Sequence, residues 1–241
     1  MRRIALSLAT VLLASGIAGC LTINGSDLLR HWRWGKSAEA SDEARAYAHY
    51  LAGVFYERQD RHEEAANEMA AVSELDPEAL TPWLWRIRAH LRNRDFEAAL
   101  DAAETAVDLS PERSNLWVML GEIHQRLGHY DEATSALKKA IELNPKNPIG
   151  YGALGELFEN TNDLVAALEI YQQLVEMSPK SAGLYYQLGL VHIQMENPKA
   201  AKVALTKALA LNPRLQRARY LLGVLCLETG QLSEAAAHLQ Y

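Results

Sequence analysis

Leu143-Asn144-Pro145 recurs along the chain. Leu75-Asp76-Pro77 and Leu211-Asn212-Pro213 are near copies, and Leu109-Ser110-Pro111 and Met177-Ser178-Pro179 vary the theme. The five prolines stand 34 residues apart. A fixed period of this size predicts an array of supersecondary units. With the proline at repeat position 32, the repeats are 46–79, 80–113, 114–147, 148–181 and 182–215, with an incomplete sixth at 216–241. Position 20 is then alanine throughout: Ala65, Ala99, Ala133, Ala167, Ala201 and Ala235. Position 8 is Gly53, Ile87, Gly121, Gly155, Gly189 and Gly223. Position 4 is aromatic in four repeats, as Trp83, Trp117, Tyr151 and Tyr185.

Each repeat carries two stretches with apolar residues at helical spacing, such as Leu116, Leu120, Ile123 and Leu127 in the third. Small residues at positions 8 and 20 let a first helix, A, and a second, B, approach closely. Proline at position 32 cannot continue helix B, so the chain turns there. A lone pair could not bury its apolar face, whereas stacked pairs bury a continuous core. Repeat 2 departs with Arg86 and Ile87, which points to a wider helix contact there. Pro198 falls in an inter-helix or first-turn position, where proline is tolerated.

This pattern resembles the tetratricopeptide repeat family, whose signature is W-x2-L-G-x2-Y, then A-x3-F, then P. The resemblance covers residues 46–241. It implies an all-α fold, a right-handed superhelical solenoid of antiparallel helix pairs. It also implies that ligands, peptides or helices, lie against helix A positions 2, 5, 6, 9, 12 and 13. Those positions supply Tyr47, Tyr50, Leu51 and Val54 in repeat 1, then Leu84, Trp85, Arg88 and Arg92 in repeat 2. Asn115, Met119, Glu122 and Arg126 follow in repeat 3, and Gly152, Ala153, Glu156 and Asn160 in repeat 4. Repeat 5 supplies Tyr186, Gln187 and Leu190, and repeat 6 supplies Arg217, Tyr220 and Leu221. The Lys/Asn/Arg set with which some members clamp a terminal carboxylate is missing from every run of three repeats. The expected groove is instead aromatic, with Arg88, Arg92 and Arg126 as its cations. Tyr, Trp and Arg are the side chains most often found as interface hot spots.

The N-terminus carries a different message. Met1-Arg2-Arg3 precedes an apolar run from Ile4 to Ala14, and small residues lead to Cys20. A basic start, a short apolar core and small residues make a secretory signal. The run falls short of the roughly 20 apolar residues of a membrane span. Ile17-Ala18-Gly19-Cys20 resembles the lipobox of bacterial lipoproteins. That resemblance implies cleavage after residue 19, acylation of Cys20 and, with Leu21 rather than Asp next, an outer-membrane address facing the periplasm. Losing Arg2 and Arg3 leaves 22 of the 24 basic side chains against 30 acidic ones, a net charge of −8 in place of −6. Such a surface has no attraction for anionic lipid, so acyl chains must hold it. Residues 20–45 read as lipidated N-terminus and linker. Trp32 and Trp34 in this stretch suit either the lipid interface or packing on the first repeat.

The composition excludes other classes. At 49% hydrophobic and 22% charged, the 241-residue chain can bury a core. Its acidic balance lacks the basic patch that nucleic acid requires. Two cysteines make no disulfide framework. No phosphate loop, nucleophile elbow or paired CxxC is present. His62-Glu63-Glu64-Ala65-Ala66 starts like a zinc-protease motif but lacks the second histidine. His90, His124 and His192 share position 11. Equivalent residues in successive layers stand roughly 10 Å apart, too far for ligation at about 2 Å, so they read as packing residues. Cys226, at the same position, reads as a buried inert thiol.

The sequence therefore predicts no enzyme, cofactor or metal. It predicts a membrane-anchored scaffold holding a peptide or helix, in envelope or pilus and secretion assembly. By layout it resembles pilotins of type IV pilus secretins and also adaptors of envelope assembly. A rival reading is the N-terminal repeat arm of a longer protein with an enzymatic domain, such as a glycosyltransferase. The sixth repeat, without a polar capping helix, suggests a fragment or an end covered by a partner.

Overall fold

The computed structural model describes residues 40–239, among which there are twelve α-helices and no strands. Repeat 1 holds α1 (Asp42–Glu57) and α2 (His62–Leu75), and repeat 2 holds α3 (Leu80–Arg92) and α4 (Phe96–Leu109). α5 (Ser114–Leu127), α6 (Tyr130–Leu143), α7 (Pro148–Asn160) and α8 (Leu164–Met177) make repeats 3 and 4. α9 (Ala182–Gln194), α10 (Pro198–Leu211), α11 (Gln216–Glu228) and α12 (Leu232–Leu239) make repeats 5 and 6. The result is an all-α helical-repeat fold with one antiparallel pair per 34-residue period. Cys20, Trp32, Trp34 and Tyr241 lie outside the described residues. No described helix is long and apolar enough to cross a membrane.

The first helix starts four residues before the repeat frame, at Asp42, because the Ser41 hydroxyl accepts the Ala44 N–H at 3.3 Å and caps it. Pro198 opens α10 at its first turn, with Asn197 as the N-cap. The chain forms two compact units that divide between Ser110 and Pro111. The division falls in the turn between repeats 2 and 3, so no helix pair is split. The first unit contains α1–α4 and the second α5–α12. Within the second unit each helix packs on the next, and α5 also touches α7 directly.

Close approach of helices A and B is built at positions 8 and 24. A β-carbon on Gly121 would stand 2.6 Å from Leu137 Cγ. On Gly189 it would stand 2.7 Å from Leu205 Cδ2, and on Gly155 3.0 Å from the Tyr171 ring. Ordinary carbon contacts need about 3.5–4 Å. Position 24 is thus a large knob (Met69, Leu137, Tyr171, Leu205 or Leu239), and the facing glycine is its hole. Repeat 2 reverses the sizes. Ile87 at position 8 is fully buried, and Ala103, 1% exposed, stands at position 24. This exchange is a compensation that Ile87 read alone does not reveal.

The turn from A to B is the same in all six repeats. Position 15 adopts positive φ at Asp60, Arg94, Gly128, Asn162, Glu196 and Gly230. The N–H of position 16 reaches back to the carbonyl of position 11, from 3.0 Å for Arg61 to Tyr56 down to 2.7 Å for Gln231 to Cys226. That bond and the left-handed residue make a Schellman closure of helix A. Glycine, asparagine and aspartate tolerate the left-handed region, whereas other residues are strained by about 1–2 kcal/mol. The turn from B to the next A uses position 4. Trp83 Nε1 donates to the Pro77 carbonyl at 3.2 Å, Trp117 Nε1 to Pro111 at 2.8 Å and the Tyr151 hydroxyl to Pro145 at 3.3 Å. Arg219 does the same for Pro213 at 2.5 Å. Three of the four position 4 aromatics, Trp83, Trp117 and Tyr151, are therefore hydrogen-bond latches, whereas Tyr185 packs on the neighbouring cores.

Two outcomes are expected. Ile87→Gly and Ala103→Leu each destabilise, the first through a void of the kind that costs roughly 2–5 kcal/mol, the second through overpacking. The double variant recovers at least about 1 kcal/mol relative to the sum of the singles; additive urea-melting shifts would refute the exchange. Glu196→Gly relieves left-handed strain and raises stability by about 1 kcal/mol. A lowered melting temperature for that variant would contradict the turn assignment.

Candidate functional site

The residues predicted to line a groove fall in both units. In the first unit several are absorbed by packing. Tyr50, Val54 and Trp85 lie half-buried against a core of Ala46, Met69 and Val72. Tyr47 is half-buried, and burial together with neighbouring Tyr50 pushes its hydroxyl pKa up. Leu51 is half-buried. Arg88 is exposed, whereas Arg92, also exposed, pairs with Glu57 at 3.5 Å. The Glu57 carboxyl is held below its ordinary range, chiefly by a hydrogen bond with His62 at 2.8 Å and further by Arg92. Of the four arginines at predicted groove positions, Arg88 and Arg92 thus belong to the first unit and Arg126 and Arg217 to the second.

In the second unit α9 and α11 leave an open pocket of about 370 Å³. Tyr186 and Leu190, one helical turn apart on α9, form one side; Gln216, Arg217, Tyr220 and Leu221 from α11 form the other. Leu221 and Tyr186 rest on the core of Ala201, Leu205 and Leu222, which fixes their positions. Tyr220 is 62% exposed. An aromatic ring that open, beside half-buried Leu190 and Leu221, presents apolar surface that nothing in the unit covers. Five of the six lining residues occupy positions 2, 5, 6 and 9, among those that the resemblance to the tetratricopeptide repeat family implies for a ligand face. Tyr220 and Gln216 also border a second pocket, with Pro213, Arg214 and Leu239, so Tyr186, Leu190, Arg217 and Leu221 are specific to the first.

Carboxylates occupy the neighbouring A helices. Glu122 on α5 and Glu156 on α7 stand at position 9, the row that Leu190 continues on α9. Burial raises the Glu122 pKa, the like charge of Glu156 adds to the rise, and Arg126 opposes it. Met119, one turn before, is half-buried. Glu159 is also raised, first by burial; the buried Tyr171 hydroxyl, donating to Glu159 Oε2 at 2.7 Å, offsets part of this. Tyr171 itself is pushed far above the ordinary phenol range by burial and by that carboxylate. Gln187, on α9, acts on the same hydroxyl and opposes part of that rise. The reading of single residues missed Glu159 and Tyr171. Their signal was present: position 24 opposite Gly155 is an aromatic with a polar tip, which needs a partner when buried.

The position 11 histidines serve the A-to-B turn. Their carbonyls accept the closing N–H, and His90 Nδ1 lies 3.4 Å from Asp95 Oδ2. Burial lowers the His192 pKa. Among the described residues no three His, Cys, Asp or Glu side chains converge as metal ligands would. Cys226 is buried, and its thiol approaches Glu234 Oε2 at 3.5 Å; burial raises its pKa, which keeps it protonated and unreactive.

Tyr171→Phe is expected to destabilise by about 1.5–3 kcal/mol at pH 7, the range for a hydrogen bond to a charged group. Glu159, raised in the folded state, loses Tyr171's opposing effect and rises further in the variant. The difference between variant and parent therefore shrinks as pH falls through the carboxylate range. Urea midpoints at pH 7 and pH 3.5 check this; an equal loss at both would rule out the carboxylate's part.

Comparisons with known proteins agree with this architecture. A family model described as the Cilia and flagella-associated protein 70 C-terminal domain matches residues 64–241, and a tetratricopeptide repeat model matches residues 46–78. No curated protein sequence matches the chain. Among solved structures, YrrB, "a TPR protein with an unusual peptide-binding site", is 24% identical with a TM-score of 0.59, over 78% of this chain and 92% of that one. MamA from Desulfovibrio magneticus RS-1 is 22% identical with a TM-score of 0.60, over 67% of this chain and 91% of that one. PilW, a "widely conserved type IV pilus biogenesis factor", is 15% identical with a TM-score of 0.64, over 80% and 90%. At these identities the likeness is one of fold. With the helical repeats, the position 8 and 24 packing and a family match over residues 64–241, the chain belongs to the tetratricopeptide-repeat family of the Cilia and flagella-associated protein 70 C-terminal domain.

Proposed function

We propose that this protein is a non-catalytic interaction scaffold, anchored through a lipid on Cys20 to the bacterial cell envelope, that holds a peptide or helix of a partner protein against the A helices of its second unit. The observation that carries the binding reading is the uncovered apolar pocket between α9 and α11. It coincides with the helix A positions that the family resemblance implies for a ligand face. Tyr220 and Arg217 bring the side-chain types that dominate interface energetics. The anchor rests on Ile17-Ala18-Gly19-Cys20 and the basic, apolar signal before it. An outer-membrane site facing the periplasm follows from Leu21. Service in pilus, secretion or envelope assembly is supported by the layout of lipid anchor plus repeats, and PilW, similar in fold, is a type IV pilus biogenesis factor. The first unit, whose aromatics are partly spent on its own core, is assigned a supporting role.

A photo-crosslinking residue at Tyr220, in the full chain in its native host, is expected to capture one discrete partner. The same residue at Val203, which is 71% exposed on helix B, is expected not to. Equal labelling from both sites, or none from Tyr220, would remove the pocket from consideration. Cys20→Ser is expected to shift the protein from the membrane to the soluble fraction and to end palmitate incorporation. Retention in the membrane fraction would refute the lipid anchor.

A further inference from the structure

The row of position 9 side chains in the second unit changes character along its length. It runs Glu122 on α5, Glu156 on α7 and Leu190 on α9. Glu122 and Glu156 are exposed carboxylates at the same register position of neighbouring helices, and their charges repel. Arg126 offsets part of that negative charge at Glu122. Glu159 adds a third carboxylate to the same helix, held by the Tyr171 hydroxyl. Beyond Leu190 the surface turns apolar, through Tyr186, Tyr220 and Leu221. An occupant complementary to the whole row carries positive charge at one end and a large apolar group at the other.

The spacing follows from the packing. Neighbouring A helices stand roughly 10 Å apart, so Glu156 lies about one step and Glu122 about two steps from the pocket. An extended chain advances about 3.3 Å per residue. We infer that the second unit selects an extended peptide segment whose Lys or Arg sits at Glu122 and Glu156 while a large apolar side chain, roughly three to six residues away, fills the pocket of Leu190 and Tyr220. This rests on the groove reading above and names the chemistry of its partner. It makes the site opposite in sign to a clamp for acidic tails. The apolar anchor supplies most of the affinity, and the carboxylates set the sign of the accepted charge.

A phage-displayed random dodecapeptide library, selected on the full chain carrying Cys20→Ser, tests this. Recovered peptides are expected to pair a large apolar residue with Lys or Arg at that spacing. For the best synthetic peptide, Lys→Glu is expected to weaken binding about five- to tenfold at low salt, as for two partly screened ion pairs. Glu122→Gln with Glu156→Gln in the protein is expected to do the same, and both losses shrink as salt rises. Both glutamates are exposed, so far-UV circular dichroism of that double variant should match the parent. Leu190→Ala, and independently the more exposed Tyr220→Ala, are expected to abolish binding. Peptides of acidic or indifferent charge that still depend on Tyr220 would overturn the charge selection and leave the groove intact. An absence of selected peptides, or binding indifferent to both Leu190 and Tyr220, would overturn the groove reading and this inference together.

Discussion

The structure depends on a missing side chain. At position 8 of helix A the backbone must come close enough to helix B that a β-carbon would collide with the side chain at position 24. Where glycine holds position 8, a leucine, methionine or tyrosine from helix B occupies the space. This sets the distance within each pair, and hence which faces remain to bury the next pair. Repeat 2 shows that the constraint is a volume shared between two positions, since Ile87 and Ala103 hold the small and large roles in reverse. Tyr171 adds a polar consequence. A tyrosine at position 24 fits against Gly155, but its hydroxyl is then carried into a buried region and needs Glu159 and Gln187.

The turns follow from the same geometry. Two helices held that close must be joined by a short connection, and the left-handed residue at position 15 reverses the chain within it. Gly128, Gly230, Asn162 and Asp60 are residue types suited to that conformation. Arg94 and Glu196 are not, and the packed pair on either side holds them in it. The next connection is held differently. At four of the five junctions position 4 of the following helix latches the carbonyl of the proline that ended the previous one, whether the donor is an indole, a phenol or a guanidinium.

The ligand face is what this packing leaves over. Positions 5 and 9 of the A helices pack on the core in some repeats, as Tyr50, Val54 and Tyr186 do, and stay open in others, as Tyr220 does. In the first unit Tyr50 and Trp85 turn back toward the core. In the second, Tyr220 remains open beside Leu190, and carboxylates line the row leading to it. The arginines that drew notice in the sequence are divided between the units, and Arg92 already has a carboxylate partner in Glu57.

The repeat boundaries, the helix pairs, the position 8 glycines and the proline stops were legible from the sequence because each is imposed once per 34 residues by backbone geometry, and repetition separates such constraints from chance. The register also named the positions that line the pocket. It could not say which of them stay exposed, because that depends on side chains far away in the sequence: Trp85 meets Met69, and Tyr186 meets the core under α11. Nor could it show that Ile87 is matched by Ala103, or that Glu122 and Glu156 interact. Those facts belong to pairs of residues 16 and 34 positions apart. Local sequence determined where the backbone turns and which positions must be small. Only tertiary packing decided which side chains were consumed in holding the pairs together and which were left for a partner.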